Sequence, residues 1–248
     1  MEKLVANLVL GDCEKMLQGV SDNSIDLIVT SPPYTDRRSD TYGGIKTDKY
    51  VEWFTPKSKE FLRVLKPTGT FILNIKEATE DREKCLYVIR LILALKEQGW
   101  YWTEEFIWHK KNSFPGKWPN RFRDSWERLL QFNKDPKFLM YQDAVMVPIG
   151  KWGDGRLKNL SKADKTRKES GVGSGFGRRV ANWASRDLVY PTNVLHIATE
   201  TGNKNREPGK YPREFPDQYF EIKFGGIVCI GKFITEWICG IVFIKYLC

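Results

Sequence analysis

Apolar residues along the chain fall into short blocks parted by polar turns. Leu4 to Leu10 and Ile25-Asp26-Leu27-Ile28-Val29 are brief apolar runs that read as buried strands, the second ending at Pro32 and Pro33. Between them Gly11-Asp12 turns out of the first strand, and Glu14 to Gly19 reads as a short helix with an acidic start and a terminal glycine. Residues 35–47 are polar and contain Gly43 and Gly44, which predicts a loop. Lys49 to Leu65 has helical periodicity despite Pro56 near its first turns, Lys66-Pro67-Thr68-Gly69 reads as a turn, and Thr70 to Ile75 as a buried strand. A further helix is predicted over Glu83 to Gln98, with Leu86, Ile89, Leu93 and Leu95 on its apolar side. Trp100 to His109 and Trp126 to Phe132 predict a hairpin joined by a long loop rich in Lys, Arg, Asn and Pro. Alternating strands and helices imply an α/β fold with a mostly parallel sheet, made mixed by the late hairpin.

After Phe132-Asn133-Lys134 this periodicity collapses. Residues 135–190 are rich in Lys, Arg, Gly, Asn and Trp, including Gly150-Lys151-Trp152-Gly153 and the run from Gly171 to Arg179. The glycine run has no strand before it and no clear helix after it, so it is not a dinucleotide fingerprint. The expected organisation is an α/β core over 1–134, an insert over 135–190, a return to the core over 191–223 and an atypical hydrophobic tail over 224–248. The chain of 248 residues carries a formal charge of +9, and within 151–190 ten basic residues oppose four acidic ones for a net of +6. Such a block is a solvated face or a surface for a polyanion. The five cysteines are odd in number and form no Cys-x-x-Cys pair, so neither a disulfide framework nor a zinc site is expected. No secretory signal opens the sequence, which points to a reducing cytoplasm and no membrane.

The densest chemistry lies at the end of the 25–29 strand, in Thr30-Ser31-Pro32-Pro33-Tyr34. Each proline fixes φ near about −65° and carries no N–H, so the strand end is a stiff, small pocket. The Ser31 hydroxyl accepts or donates, backbone carbonyls accept, and the Tyr34 ring offers a flat face. Together they suit a planar ring held by its face and by the protons of an exocyclic amine. An amine so held is the better nucleophile, because its lone pair leaves conjugation. Taken without its flanks, the same segment is a proline turn with an aromatic plug.

This arrangement resembles the catalytic motif of the amino-group DNA methyltransferases, which modify N4 of cytosine or N6 of adenine. Ser-Pro-Pro-Tyr occurs there chiefly in the N4-cytosine enzymes and Asp-Pro-Pro-Tyr chiefly in the N6-adenine ones. The flanks extend the resemblance over about residues 4–220. Leu8-Val9-Leu10-Gly11-Asp12-Cys13 is similar to the family's strand-Gly-Asp motif, although Asp12 is equally well placed as a helix cap. Phe61 to Thr70 resembles the helix, turn and strand that follow. Phe106-Ile107-Trp108-His109-Lys110-Lys111-Asn112, with Pro115, resembles an Ile-Trp-x-Lys-x-Asn motif near the target base. Tyr190 to Leu195 looks like the return to the sheet, and Tyr211-Pro212-Arg213-Glu214-Phe215-Pro216 like a donor-pocket segment, departing from it at Tyr211 and Arg213.

The resemblance implies a Rossmann-like, S-adenosylmethionine-dependent methyltransferase of the permuted class, with Ser-Pro-Pro-Tyr first and the donor-binding motif last. It implies catalytic roles for Ser31, Pro32, Pro33 and Tyr34, and donor contacts from Asp12, Cys13, Thr30, Phe215 and Pro216. It implies DNA contacts from Arg37, Arg38, Lys110, Asn112, Arg178 and Arg179, with no metal. Double-stranded DNA is the implied partner, with a cognate restriction endonuclease as a possible second. The absence of a Pro-Cys dipeptide argues against C5-cytosine chemistry. The pattern breaks at the end. Where the family has Asp-x-Phe-x-Gly-Ser-Gly-Thr-Thr, this chain has Phe224-Gly225-Gly226-Ile227-Val228-Cys229-Ile230-Gly231-Lys232-Phe233. The spacing from Gly226 to Lys232 imitates a phosphate loop, but Phe233 replaces the needed hydroxyl residue. In order of preference the tail is the product of a shifted reading frame with an incomplete donor end, a divergent donor loop, or a membrane anchor interrupted by Lys232, Glu236 and Lys245. Function follows the same fork: N4-cytosine methylation, with N6-adenine methylation or a non-catalytic DNA-binding remnant as alternatives.

Overall fold

The computed structural model describes residues 12–35, 44–113, 116–151, 155, 159–162 and 187–197, together with the backbone of 222–224, 227–229 and 241–244. The expected strand over Leu4 to Leu10 therefore lies outside the described residues. Two compact units are present, one of residues 1–139, 193–221 and 229–248, the other of 140–192 and 222–228. The domain limits expected above are a separate division and remain a proposal.

The first unit is built on a six-stranded sheet. Its strands are β1 Ile25–Thr30, β2 Leu65–Ile75, β3 Tyr101–His109, β4 Trp126–Asn133, β5 Val194–His196 and β6 Ile241–Ile244, in the order β6-β1-β2-β4-β3-β5. β1 runs parallel to β2, and β3 parallel to β5; the other three pairings are antiparallel. Four strands thus share one direction, and β4 and β6 oppose them. The β3–β4 pair is the expected hairpin. It places the carboxyl ends of β1, β2 and β3 along the sheet edge where β4 begins.

Three helices accompany the sheet: α1 Cys13–Gln18, α2 Tyr50–Val64 and α3 Tyr87–Glu97. Asp12 caps α1, its Oδ1 accepting from the backbone N–H of Glu14 at 2.9 Å and of Lys15 at 3.4 Å. Lys57 of α2 is buried, pairs with Glu14 of α1 and lies 4.2 Å above the Trp53 ring. Arg63, also on α2, donates to the carbonyls of Leu17 and Val20 at 2.7 and 2.8 Å. The core is a chain of rings through Phe54, Phe61, Phe71, Trp100 and Phe132, with successive centroids 5.3–6.3 Å apart. Trp100 satisfies its buried N–H on the Ser58 hydroxyl at 2.8 Å.

Two expected elements differ. Residues 66–69 are not a turn between helix and strand: β2 starts at Leu65, immediately after α2. Its register against β1 passes from Ile25↔Leu65 to Leu27↔Thr70, so the segment bulges inside the strand. Gly69 is required there, since a Cβ would sit 2.9 Å from the Asp26 carbonyl oxygen and from the Leu65 side chain. The helix expected from Glu83 begins at Tyr87 instead. Glu83–Lys84 pairs with Thr79–Glu80 in a tight hairpin turned by Asp81 and Arg82, whose φ values are +46° and +68°. Its apolar side is Tyr87, Val88, Leu91, Ile92 and Leu95, while Leu86, Ile89 and Leu93 are exposed. Nearly every residue from 87 to 95 is apolar, so contact with the core, not periodicity, selects the face.

In the second unit, Val147–Pro148 pairs antiparallel with Leu188–Val189, and the Ile149 N–H donates to the Asp187 carbonyl at 3.0 Å. Tyr190 donates to Asp143 at 2.8 Å. The two ends of the 140–192 segment are thereby tied together. Among the described residues no helix is long and apolar enough to cross a membrane, and no three His, Cys, Asp or Glu side chains are grouped to hold a metal ion.

Candidate active site

Ser31, Pro32, Pro33 and Tyr34 leave the carboxyl end of β1 and pass over the ends of β2 and β4. A buried polar network meets them there. Ser31 Oγ lies 3.3 Å and Tyr34 Oη 3.2 Å from Asn74 Oδ1, both donating. Tyr34 Oη also lies 2.8 Å from Glu127 Oε2. Asn74 Nδ2 donates to the Arg128 carbonyl at 3.1 Å and more weakly to Glu127 at 3.4 Å. Lys110 pairs with the second oxygen of Glu127 and lies 4.8 Å from the centre of the Trp108 ring. Glu127 and Asn74 are buried at 6% and 7% exposure, so this set of partners is what makes a carboxylate and an amide tolerable there.

The backbone is braced as well. Tyr50, fully buried at the start of α2, donates its hydroxyl to the Pro33 carbonyl at 3.0 Å. The Pro32 carbonyl accepts no hydrogen bond among the described residues. The network holds the Tyr34 hydroxyl and leaves the ring half-buried. Burial, and then the Glu127 carboxylate, push the Tyr34 phenol well above its ordinary value, so the side chain stays neutral.

Thr30 and Thr35, on either side of the turn, are buried at 1% and 2% exposure, and neither hydroxyl has a partner among the described residues. Asp12 is exposed, and among the described residues its carboxylate accepts hydrogen bonds on Oδ1 alone. Cys13 is buried in the first turn of α1. Asn112 lies just beyond β3 and is itself engaged. Arg37, Arg38, Arg178, Arg179, Phe215 and Pro216 lie outside the described residues.

Asn74, Glu127 and Tyr50 escaped the sequence reading. The signal for the first two was present: Asn74 interrupts the apolar run Phe71-Ile72-Leu73-Asn74-Ile75, and Glu127 is a charged residue second in a strand built on Trp126, Leu129, Leu130 and Phe132. A polar residue inside a buried strand needs a partner, but nothing local names it.

Comparison with known proteins settles the family. A DNA methylase family model matches residues 25–221, most of the chain and all of this network. The chain belongs to the N6/N4 DNA methylase family. It is 25% identical over 240 residues to the Type II methyltransferase M.PvuII of Proteus hauseri, covering 87% of this chain and 69% of that protein. It is 28% identical over 190 residues to the Type II methyltransferase M.SfiI of Streptomyces fimbriatus, covering 68% and 43%. The solved structure of the PvuII DNA methyltransferase (cytosine-N4-specific) shares its fold, with a TM-score of 0.53 at 22% identity, over 78% of this chain and 57% of that one. The chain therefore spans between 43% and 69% of the length of these relatives. S-adenosylmethionine is the methyl donor of this DNA methylase family. The unpartnered, buried Thr30 hydroxyl and the second Asp12 oxygen are hydrogen-bonding groups that fit such a ligand.

Proposed function

We propose that this chain methylates the exocyclic amine of a base extruded from duplex DNA, and that the base is cytosine, modified at N4. The observation that carries this reading is the Ser31-Pro32-Pro33-Tyr34 turn held at a strand end by Asn74, Glu127 and Tyr50. Such a pocket presents an accepting hydroxyl and carbonyl beside a fixed aromatic face. Serine in place of aspartate at position 31 favours cytosine over adenine.

The base has to leave the helix, because its amine is engaged in pairing; extrusion costs a few kcal/mol, which pocket contacts offset. The Tyr34 ring stacks on the base. Ser31 keeps its lone pairs for an N–H of the amine while its own proton is directed to Asn74. The Pro32 carbonyl takes the other N–H. Both contacts draw the nitrogen lone pair out of the ring, and the buried network keeps them in place without reorganisation during reaction. When bound, S-adenosylmethionine supplies an electrophilic methyl group; Thr30 and Asp12, with Cys13, Phe215 and Pro216, would hold it. Charge in the 151–190 segment, with Arg178 and Arg179, supplies phosphate contacts, as do Arg37, Arg38, Lys110 and Asn112. Membership of a self-marking pair with a restriction endonuclease is part of the same reading and is tested by protection of DNA carrying the gene from digestion.

Calorimetric titration with S-adenosylmethionine, followed by mapping of methylated positions on DNA, tests the activity. Micromolar donor binding with N4-methylcytosine supports the reading. N6-methyladenine would move it to the other amine, and absence of donor binding would leave a DNA-binding remnant.

A further inference from the structure

We propose that Phe122, on the loop joining β3 to β4, is a wedge that enters the duplex and stacks in the gap left by the extruded base. The inference rests on the DNA reading above and names a contact which that reading does not contain. Phe122 is 97% exposed, the most exposed large apolar side chain among the described residues. A single exposed apolar residue is ordinary. This one stands between Arg121 and Arg123, with Lys117 and the half-exposed Trp118 close by in sequence.

The loop is braced beneath it. Asn120 donates to the Arg82 carbonyl at 3.2 Å, and Arg121 to Asp124 at 2.9 Å. The Arg121 guanidinium lies 4.5 Å from the centre of the Trp118 ring, and Asp124 lies 3.3 Å from Lys76. These contacts fix the neighbours of Phe122 and leave the ring itself outward. Its tether to the pocket is short: Phe122 precedes Glu127, the partner of Tyr34, by five residues, which span at most about 17 Å. One loop and strand thus carry both the wedge and the carboxylate that positions the stacking ring.

The chemistry of the crest suits nucleic acid. Cations flanking an apolar ring meet phosphates, while the ring meets a base step. Apolar wedges of this kind partly unstack a duplex, and aromatic stacking on a base is tolerant of sequence.

Binding of the full chain to two short synthetic duplexes, one intact and one with a single abasic site, tests the proposal without requiring turnover. The abasic duplex already holds the gap. Wild type is expected to bind it about tenfold more tightly than the intact duplex, the scale of one stacked ring. Phe122→Ala should abolish that preference and keep its binding to intact DNA and its thermal midpoint, since the side chain packs on nothing. Phe122→Trp should retain the preference, and Arg123→Ala should weaken both duplexes alike. A preference that survives Phe122→Ala overturns the wedge alone, as does a Phe122→Ala effect confined to self-association. Failure of wild type to bind either duplex overturns the DNA reading together with the wedge.

Discussion

Glu127 and Asp12 are two carboxylates placed in opposite settings. Glu127, on the target side of the Ser-Pro-Pro-Tyr turn, is buried and shared among Tyr34, Asn74 and Lys110. Asp12, on the side assigned to the donor, is exposed and spends one oxygen on capping α1. The difference teaches where this site keeps its rigidity. The surface proposed to orient a base is cross-braced by strands distant in sequence, so removing one member weakens the rest. The side proposed for the donor offers less constrained groups, Asp12 and the Thr30 hydroxyl, which has no partner among the described residues.

The largest consequence is expected at Glu127. Glu127→Ala removes the carboxylate that pairs with Lys110 and leaves the Tyr34 hydroxyl only its longer contact with Asn74, and should cost about 3 kcal/mol in urea unfolding. Glu127→Gln, which still accepts from Tyr34, should cost less. Equal, small losses for both would mean that the network does not carry the brace. Asp12→Ala loses only a helix cap, and about 1 kcal/mol is the expected loss. A cost at Asp12 as large as that at Glu127 would erase the contrast between the two sides.

Thr30→Val should reverse the sign. It removes an unpartnered buried hydroxyl at nearly constant volume, so stability should rise by up to about 1 kcal/mol. Calorimetry should find S-adenosylmethionine affinity lowered in the same variant; a variant that is less stable and binds the donor normally would count against a ligand role for Thr30. The smallest effect is at alkaline pH. The Tyr34 phenol is raised in the fold, so its contribution is complete below the ordinary tyrosine value of 10.0 and is lost as pH rises from there through the raised value. Thermal midpoints followed from neutral pH upward should fall less steeply in Tyr34→Phe than in wild type.

Local patterns made much of the fold legible. β1, α2 and the β3–β4 hairpin follow from runs and periods that short-range sequence records. The bulge at 66–69 did not, because Lys-Pro-Thr-Gly has turn chemistry and only pairing with β1 keeps it in a strand. The buried face of α3 was equally hidden, since apolar residues ring that helix. At the site the Ser-Pro-Pro-Tyr turn stood out because its chemistry is contiguous. Its supports did not: Asn74 lies 43 residues from Ser31, and Glu127 lies 93 from Tyr34. Strand order brings them together, and no spacing rule in the sequence encodes that. The matched relatives add the family, and the buried network explains physically how this turn is held rigid at the strand end.

The most direct test of the account is mass spectrometry of nucleosides from the DNA of a methylase-deficient host expressing the chain, beside hosts expressing Tyr34→Ala and Glu127→Gln. The account expects N4-methylcytosine with wild type, none with Tyr34→Ala and a reduced amount with Glu127→Gln. N4-methylcytosine persisting undiminished in Tyr34→Ala, or no methylated base with wild type, would contradict it.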